Sequence, residues 1–387
     1  MNFAGVIAEY DPFHNGHRAQ LALLRRQGAQ TIAVCMSAGA VQRGGLPLYP
    51  EPVRVRAALE AGADLVIALP APYACATAQR FAAAGVRLLT ALGCDTLAFG
   101  AETPDAARLQ ETARFLRGSA LDEPLRTALA GGQTFAAARA AAAEALCPGT
   151  GELLRSPNNI LGIEYCGAIL DQNSPLRPLA LPRLGAAHGG SETGEWQGDA
   201  IANASHLRTL PPEALRPFVP ETAFALYRQA DAQGLRLDKD KFSTALLALL
   251  RTKPDFSGVR GVSEGLENRL AAAVRTAPDA ESLVDALKTK RYPHARLRRL
   301  VLDAALDIPA RLPPPPYLHV LGARKTAMSR LKQASLPVST SLSDLVRTGP
   351  EAELVGRLHS RVVDFSSLCR AQTGPMGLAF TTKPVVL

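Results

Sequence analysis

The sequence predicts an α/β protein, a Rossmann-like doubly wound parallel sheet followed by a mostly α-helical C-terminal region, and three observations predict it. Short apolar runs recur at 3–8, 31–36, 64–70 and 95–100, and a segment with apolar residues at helical spacing follows each. The runs are continuously apolar rather than alternating, which marks strands buried on both faces and hence parallel strands covered by helices. Beyond about Pro211 strand-like runs become scarce and helical spacing dominates, so a boundary is expected there, dividing 1–210 from 211–387.

The first strand leads into the turn Glu9-Tyr10-Asp11-Pro12-Phe13-His14-Asn15-Gly16-His17 and then into a helix carrying Leu21, Leu23 and Leu24. Pro12 ends the strand, Asn15 is the expected N-cap, and Gly16 lets a ligand approach the backbone. His14 and His17 flank a helix N-terminus whose open N–H groups attract anions. Two imidazoles three residues apart in a loop are ordinarily solvated polar groups. Here they lie on the first strand-to-helix turn, at the carboxyl end of the strand, where open α/β sheets bind their ligands.

Further along, 37–50 is a Gly-rich loop containing Arg43, and 51–61 is a helix leading to the third strand. The fourth strand ends in Phe99-Gly100-Ala101-Glu102, and the Ala-rich stretch 104–147 is helical. Asn158 and Asn159 stand at a helix start, where they cap it or present amides to a base or ribose. Residues 179–183 read as the last strand, with Arg183 emerging at its end, and 185–198 as a polar, mobile Gly-rich loop. The next helix starts at 204–208, with Ser205 as N-cap and Arg208 in its first turn. In the C-terminal half, 263–269 opens a helix and 317–322 is a short strand preceding a helix with Arg324, Lys325, Arg330 and Lys332.

At 387 residues and 47% hydrophobic content the chain can bury more than one core. No signal peptide is expected, and the longest apolar stretch, around 65–78, is interrupted by Pro70 and Pro72, so a cytoplasmic protein is expected. The six cysteines form no CxxC pair or Cys/His cluster, which argues for reduced core residues and against a protein-held metal. A net charge of +8 favours an anionic partner, and 288–299 carries six Lys/Arg and no acid. Such a run is ordinarily a solvated face; with Arg296, Arg298 and Arg299 on one helical turn of a basic protein, phosphate binding is the better reading. Tyr292 either stacks on a base or packs against Leu297.

The turn resembles the HIGH-type nucleotidyltransferase superfamily, and within it the bacterial tRNA(Met) cytidine acetate ligases, whose turn reads Glu-Tyr-Asn-Pro-Phe-His-Asn-Gly-His; Asp11 replaces the Asn. Four further pieces follow in the family's order: the Gly100 turn, the Pro-Asn-Asn segment, the Arg after the strand and the 205–208 motif. The 263–269 and Lys-Arg-Tyr segments also look like this family's C-terminal half. The resemblance implies catalytic roles for His14 and His17. It implies ATP contacts by Ile7, Ala8, Glu9, Tyr10, Asp11, Pro12, Phe13, His14, Asn15, Gly16, His17 and Gln20, and by Gly100, Asn158 or Asn159, Arg183, Ser205 and Arg208.

On that resemblance ATP, with Mg2+ carried by the nucleotide, activates acetate as acetyl-adenylate, and the acetyl group passes to N4 of the wobble cytidine of elongator tRNA(Met). Arg43, Lys288, Lys290, Arg291, Arg296, Arg298 and Arg299 are the expected tRNA contacts. The family's Ser-Gly-Asn-Phe-Val-Gln-Arg-Gly loop appears here as Ser37-Ala38-Gly39-Ala40-Val41-Gln42-Arg43-Gly44, and a lysine usual before the next helix has no counterpart at 49–53. Arg43, Arg54 and Arg56 are the cations able to replace it in charge, though not in geometry. Two other readings stay open, an adenylyltransferase acting on a small phosphorylated metabolite and a catalytically weak RNA-binding relative. Acetate-dependent exchange of pyrophosphate into ATP separates the first reading from both.

Overall fold

A computed structural model of the chain describes residues 1–184, 193–253, 255–263, 265–290 and 292–387. Its centre is a mostly parallel sheet built from β1 (Phe3–Ala8), β2 (Thr31–Ser37), β3 (Leu65–Leu69), β4 (Thr96–Ala101) and β5 (Arg177–Pro182), in the order β3-β2-β1-β4-β5. The order reverses at β1, whose neighbours β2 and β4 run parallel to it, so the carboxyl end of β1 lies at the switch point of the sheet.

The continuous apolar character of the strands serves two faces. Phe3 and Ile7 of β1, with Cys35, Ile67 and Phe99, join one core, beneath the helices Ala78–Leu92 and Pro157–Asp171. Ala4 and Val6, with Val34, Val66 and Ala98, join the other, against α1 (Asn15–Arg26) and α2 (Glu51–Glu60). A third apolar cluster fills the helical C-terminal half, from Leu246 through Leu306 to Phe365.

Three features differ from the sequence expectation. The strand 177–182 is not the last of the sheet: the strand expected at 317–322, β8 (Leu318–Ala323), pairs antiparallel with β3, and the short strand Val385–Val386 pairs with β8, so the sheet takes strands from beyond residue 211. Pairing between segments some 250 residues apart leaves no trace in local patterning. The expected loop 185–198 lies partly outside the described residues, and its last part begins a hairpin of β6 (Gly194–Trp196) and β7 (Asp199–Ile201). The segment bearing Lys325, Arg330 and Lys332 is a run of 3₁₀ turns, not an α-helix. Among the described residues no helix is long and apolar enough to cross a membrane.

Candidate active site

His14, not Asn15, caps α1. Its backbone is extended, its Nδ1 accepts the Gly16 N–H at 3.1 Å, and the Nδ1 of His17 reaches back to accept the His14 N–H at 3.3 Å. The two rings stack with centroids 3.7 Å apart. Because Nδ1 of each ring accepts a hydrogen bond, a neutral ring carries its proton on Nε2, which remains as the donor. Both rings are held neutral. Burial, with Arg183 and Arg208 nearby, pulls His14 down to about 3, and burial followed by His14 itself pulls His17 well below the ordinary imidazole value.

The expected open amide cradle is therefore largely closed. The Gly16 N–H is taken by His14, and the N–H groups of His17 and Arg18 bond the His14 carbonyl. The imidazole edges replace backbone amides as donors. Asn15 is displaced from capping because its Nδ2 donates to the carbonyls of Ala200 and Pro217, at 2.9 and 3.1 Å, tying α1 to β7 and the segment after it.

The two rings line a cavity of about 430 Å³. Of the residues expected to contact a nucleotide, Ile7, Ala8, Glu9, Tyr10, Asp11, His14, Gly16, His17, Gln20, Gly100, Asn158, Arg183, Ser205 and Arg208 line it. Pro12, Phe13, Asn15 and Asn159 do not. Pro12 and Phe13 are buried, and the Phe13 carbonyl accepts the Tyr227 hydroxyl at 2.9 Å. Asn159 accepts the Thr103 N–H and donates to its hydroxyl, so only Asn158 of the pair faces the cavity. A Cβ at Gly100 would meet nothing within 4 Å, so this strand end leaves its backbone open to the cavity.

Cations ring the opening. Arg208 Nη1 bonds the Asp11 carbonyl at 2.9 Å and faces the Asp11 carboxylate at 3.5 Å, while its Nη2 bonds Ser205 Oγ at 3.1 Å. Asn203, not Ser205, caps this short helix, which leaves the Ser205 hydroxyl to Arg208. Arg183 lies 3.6 Å from Glu102, whose carboxylate also receives the Asn158 amide and the Asn159 N–H. Arg43 lines the cavity as well. Sequence reading missed an apolar lobe formed by Phe81, Phe99, Ile160, Leu161 and Tyr165. Apolar residues at helical or strand spacing are indistinguishable from core until the cavity is seen.

The loop after β2 joins this cavity to the basic segment. The Gln42 N–H donates to Glu9 Oε1 at 2.6 Å, and its carbonyl accepts Arg299 Nη1 at 3.2 Å. Gly44, at φ +83°, sits so close to the helix His294–Ala305 that a Cβ would lie 2.4 Å from the Arg299 N. Lys288, Lys290 and Arg298 are exposed. Arg296 covers the Tyr292 ring at 4.5 Å and bonds Ser263 Oγ, while Tyr292 itself is buried in the helical core. Arg291 lies outside the described residues. The cations weighed as substitutes for the missing lysine differ in fate. Arg54 is fully buried, bonding the carbonyls of Glu9, Ser37 and Tyr49, and Arg56 pairs with Glu60 on the surface.

Known proteins resemble this chain along most of its length. The HIGH Nucleotidyl Transferase family model matches residues 1–365. A tRNA(Met) cytidine acetate ligase of Syntrophotalea carbinolica is 35% identical over 376 residues, covering 91% of this chain and 89% of its own. One from Listeria monocytogenes is 33% identical over 356 residues, covering 89% and 90%. The crystal structure of Thermotoga maritima TmcAL superposes with a TM-score of 0.91 at 26% identity, and its form bound with alpha-thio ATP with 0.88, each covering all of both chains. The chain belongs to the HIGH nucleotidyl transferase family and, within it, to the tRNA(Met) cytidine acetate ligases.

Proposed function

We propose that this protein is an ATP-dependent ligase that joins acetate to N4 of the wobble cytidine of elongator tRNA(Met). The observation that carries the reading is the stacked pair of neutral imidazoles, each left with Nε2–H as donor, in a cavity ringed by Arg43, Arg183 and Arg208 at the switch point of the sheet. Adenylyl transfer asks a protein mainly to hold the α-phosphate in line and to stabilise charge on its oxygens. His14 and His17 donate to those oxygens, and the arginines offset the triphosphate charge. Gly100, Asn158, Ser205 and the segment Ile7 to Gln20 form the walls.

An acetate oxygen attacks the α-phosphorus and pyrophosphate leaves. The cytidine N4 then attacks the acetyl carbonyl and AMP leaves. Magnesium would arrive on the triphosphate, neutralising part of its charge. The basic surface that Arg43, Lys288, Lys290, Arg296, Arg298 and Arg299 form beside the cavity receives the tRNA backbone, with residues 211–387 as its main platform and Arg291 as a further contact. The setting is the cytoplasm, where the tRNA is.

The test is direct. The purified protein, with ATP, magnesium and radiolabelled acetate, is incubated with elongator tRNA(Met) transcript, and the nucleosides are separated after digestion. Labelled N4-acetylcytidine is expected; its absence while the protein is folded contradicts the proposal.

A further inference from the structure

We infer that Glu9 is the base that takes the N4 proton of the acceptor cytidine in the acetyl-transfer step, an assignment that rests on the acetate-ligase reading above. A cytosine amine is conjugated into its ring and is a weak nucleophile, and its N–H becomes acidic only as the N–C bond forms. A base within reach of that proton therefore accelerates the step.

The cavity offers few candidates. The imidazoles of His14 and His17 have Nδ1 engaged by backbone N–H groups and their proton on Nε2, so neither has a lone pair to spare. Asp11 accepts the Leu48 N–H at 2.6 Å on one oxygen and faces Arg208 at 3.5 Å with the other. Glu9 uses Oε1 for the Gln42 N–H, and its second oxygen takes no hydrogen bond from the described residues.

Position supports the same choice. Glu9 stands at the end of β1 in the cavity wall that carries the two imidazoles. Through the Gln42 peptide it is one residue's width from Arg299 and the basic helix, the side from which a tRNA backbone approaches. Burial pushes its carboxyl above the ordinary carboxylate value, against the hydrogen bond from the Gln42 N–H and the charges of Arg208 and Arg43, while Asp11 adds to the rise; Arg54, Tyr165 and Cys75 are the other titratable groups that feel its charge. A raised value makes the carboxylate a stronger base.

In the step, the N4 lone pair bonds the acetyl carbon and the carbonyl electrons move to its oxygen. The N4 proton passes to the free oxygen of Glu9. Collapse of the tetrahedral adduct breaks the carbon–oxygen bond to the phosphate, and AMP leaves with those electrons.

The experiment compares acetate-dependent pyrophosphate exchange with single-turnover acetyl transfer to tRNA for wild type, Glu9→Gln and Glu9→Asp, with thermal melts as a check on folding. Glu9→Gln keeps an acceptor for the Gln42 N–H but cannot take a proton. Transfer is expected to fall at least ~100-fold beyond any fall in exchange. In wild type, transfer rises with pH as Glu9 loses its proton; the Gln variant lacks this limb, and the Asp variant keeps it at a reduced rate. Transfer and exchange falling together, or a limb that persists in Glu9→Gln, overturns the assignment. Should Glu9→Gln fail to fold, loss of the limb in Glu9→Asp overturns it equally. A wild-type protein lacking exchange and transfer alike removes the acetate-ligase reading itself, and the assignment with it.

Discussion

The imidazoles of His14 and His17 lie face to face, centroids 3.7 Å and planes 29° apart, each fixed through Nδ1 by an amide of the turn they share. Stacked rings this close cannot both be charged, and burial holds each neutral, His14 with a value of about 3. The sign for stability follows. Unfolded histidines take up protons near ~6.5 and the folded ones do not, so stability is complete above that pH and declines as pH falls toward 3. His319 and His359, also lowered by burial, act in the same direction. Urea unfolding at pH 7 and pH 5 should show a marked loss at pH 5, smaller in His14→Gln; equal losses in both proteins contradict the neutral pair.

Arg208 holds the Asp11 carbonyl and the Ser205 hydroxyl with its two terminal nitrogens. A guanidinium fork can do both while still facing a phosphate, and an ammonium cannot. Arg208→Ala should weaken ATP binding by roughly 10- to 100-fold, as expected for losing charge-assisted hydrogen bonds, with Arg208→Lys recovering only part. Calorimetric titration with a non-hydrolysable ATP analogue reads this, and wild-type affinity in Arg208→Ala counts against the cavity as the nucleotide site.

Gly44 has no space for a side chain, since its Cβ would press on the backbone of Arg298 and Arg299, and its φ of +83° is unfavourable for other residues. Gly44→Ala should lower stability by about 1–3 kcal/mol and raise the KM for tRNA, because the loop carrying Arg43 can no longer dock on the basic helix. An unaltered unfolding midpoint would show that the loop yields without penalty.

Arg298 is exposed, whereas its neighbour Arg299 is engaged with the Gln42 carbonyl. Arg298→Ala should weaken tRNA binding and reduce the slope of log affinity against log salt by about one, the signature of one lost phosphate contact. The same substitution at Arg299 should also disturb the loop. Filter binding between low and moderate salt separates the two; an unchanged slope for Arg298→Ala assigns it to the solvated face.

The central strand–turn–helix was legible because a continuous apolar run followed by leucines at helical spacing has few other solutions. That the turn lines a cavity was legible from its place at the end of the first strand. The cap was not. Rules of local preference favour Asn15, but Asn15 is drawn away by the carbonyls of Ala200 and Pro217, partners distant in sequence, and the imidazole of His14 takes its place. The same limit hid the division of labour between Asn158 and Asn159, the burial of Arg54 and the antiparallel pairing of β8, itself expected as a strand at 317–322, with β3. Each is decided by a contact with a remote segment, which residue spacing does not encode.

The most direct test of the account is acetate-dependent exchange of labelled pyrophosphate into ATP by wild type and His17→Ala, with thermal melts alongside. We expect exchange in the wild type that requires acetate, and its loss in a folded His17→Ala protein. Equal exchange in the two would place the chemistry elsewhere than at the stacked imidazoles.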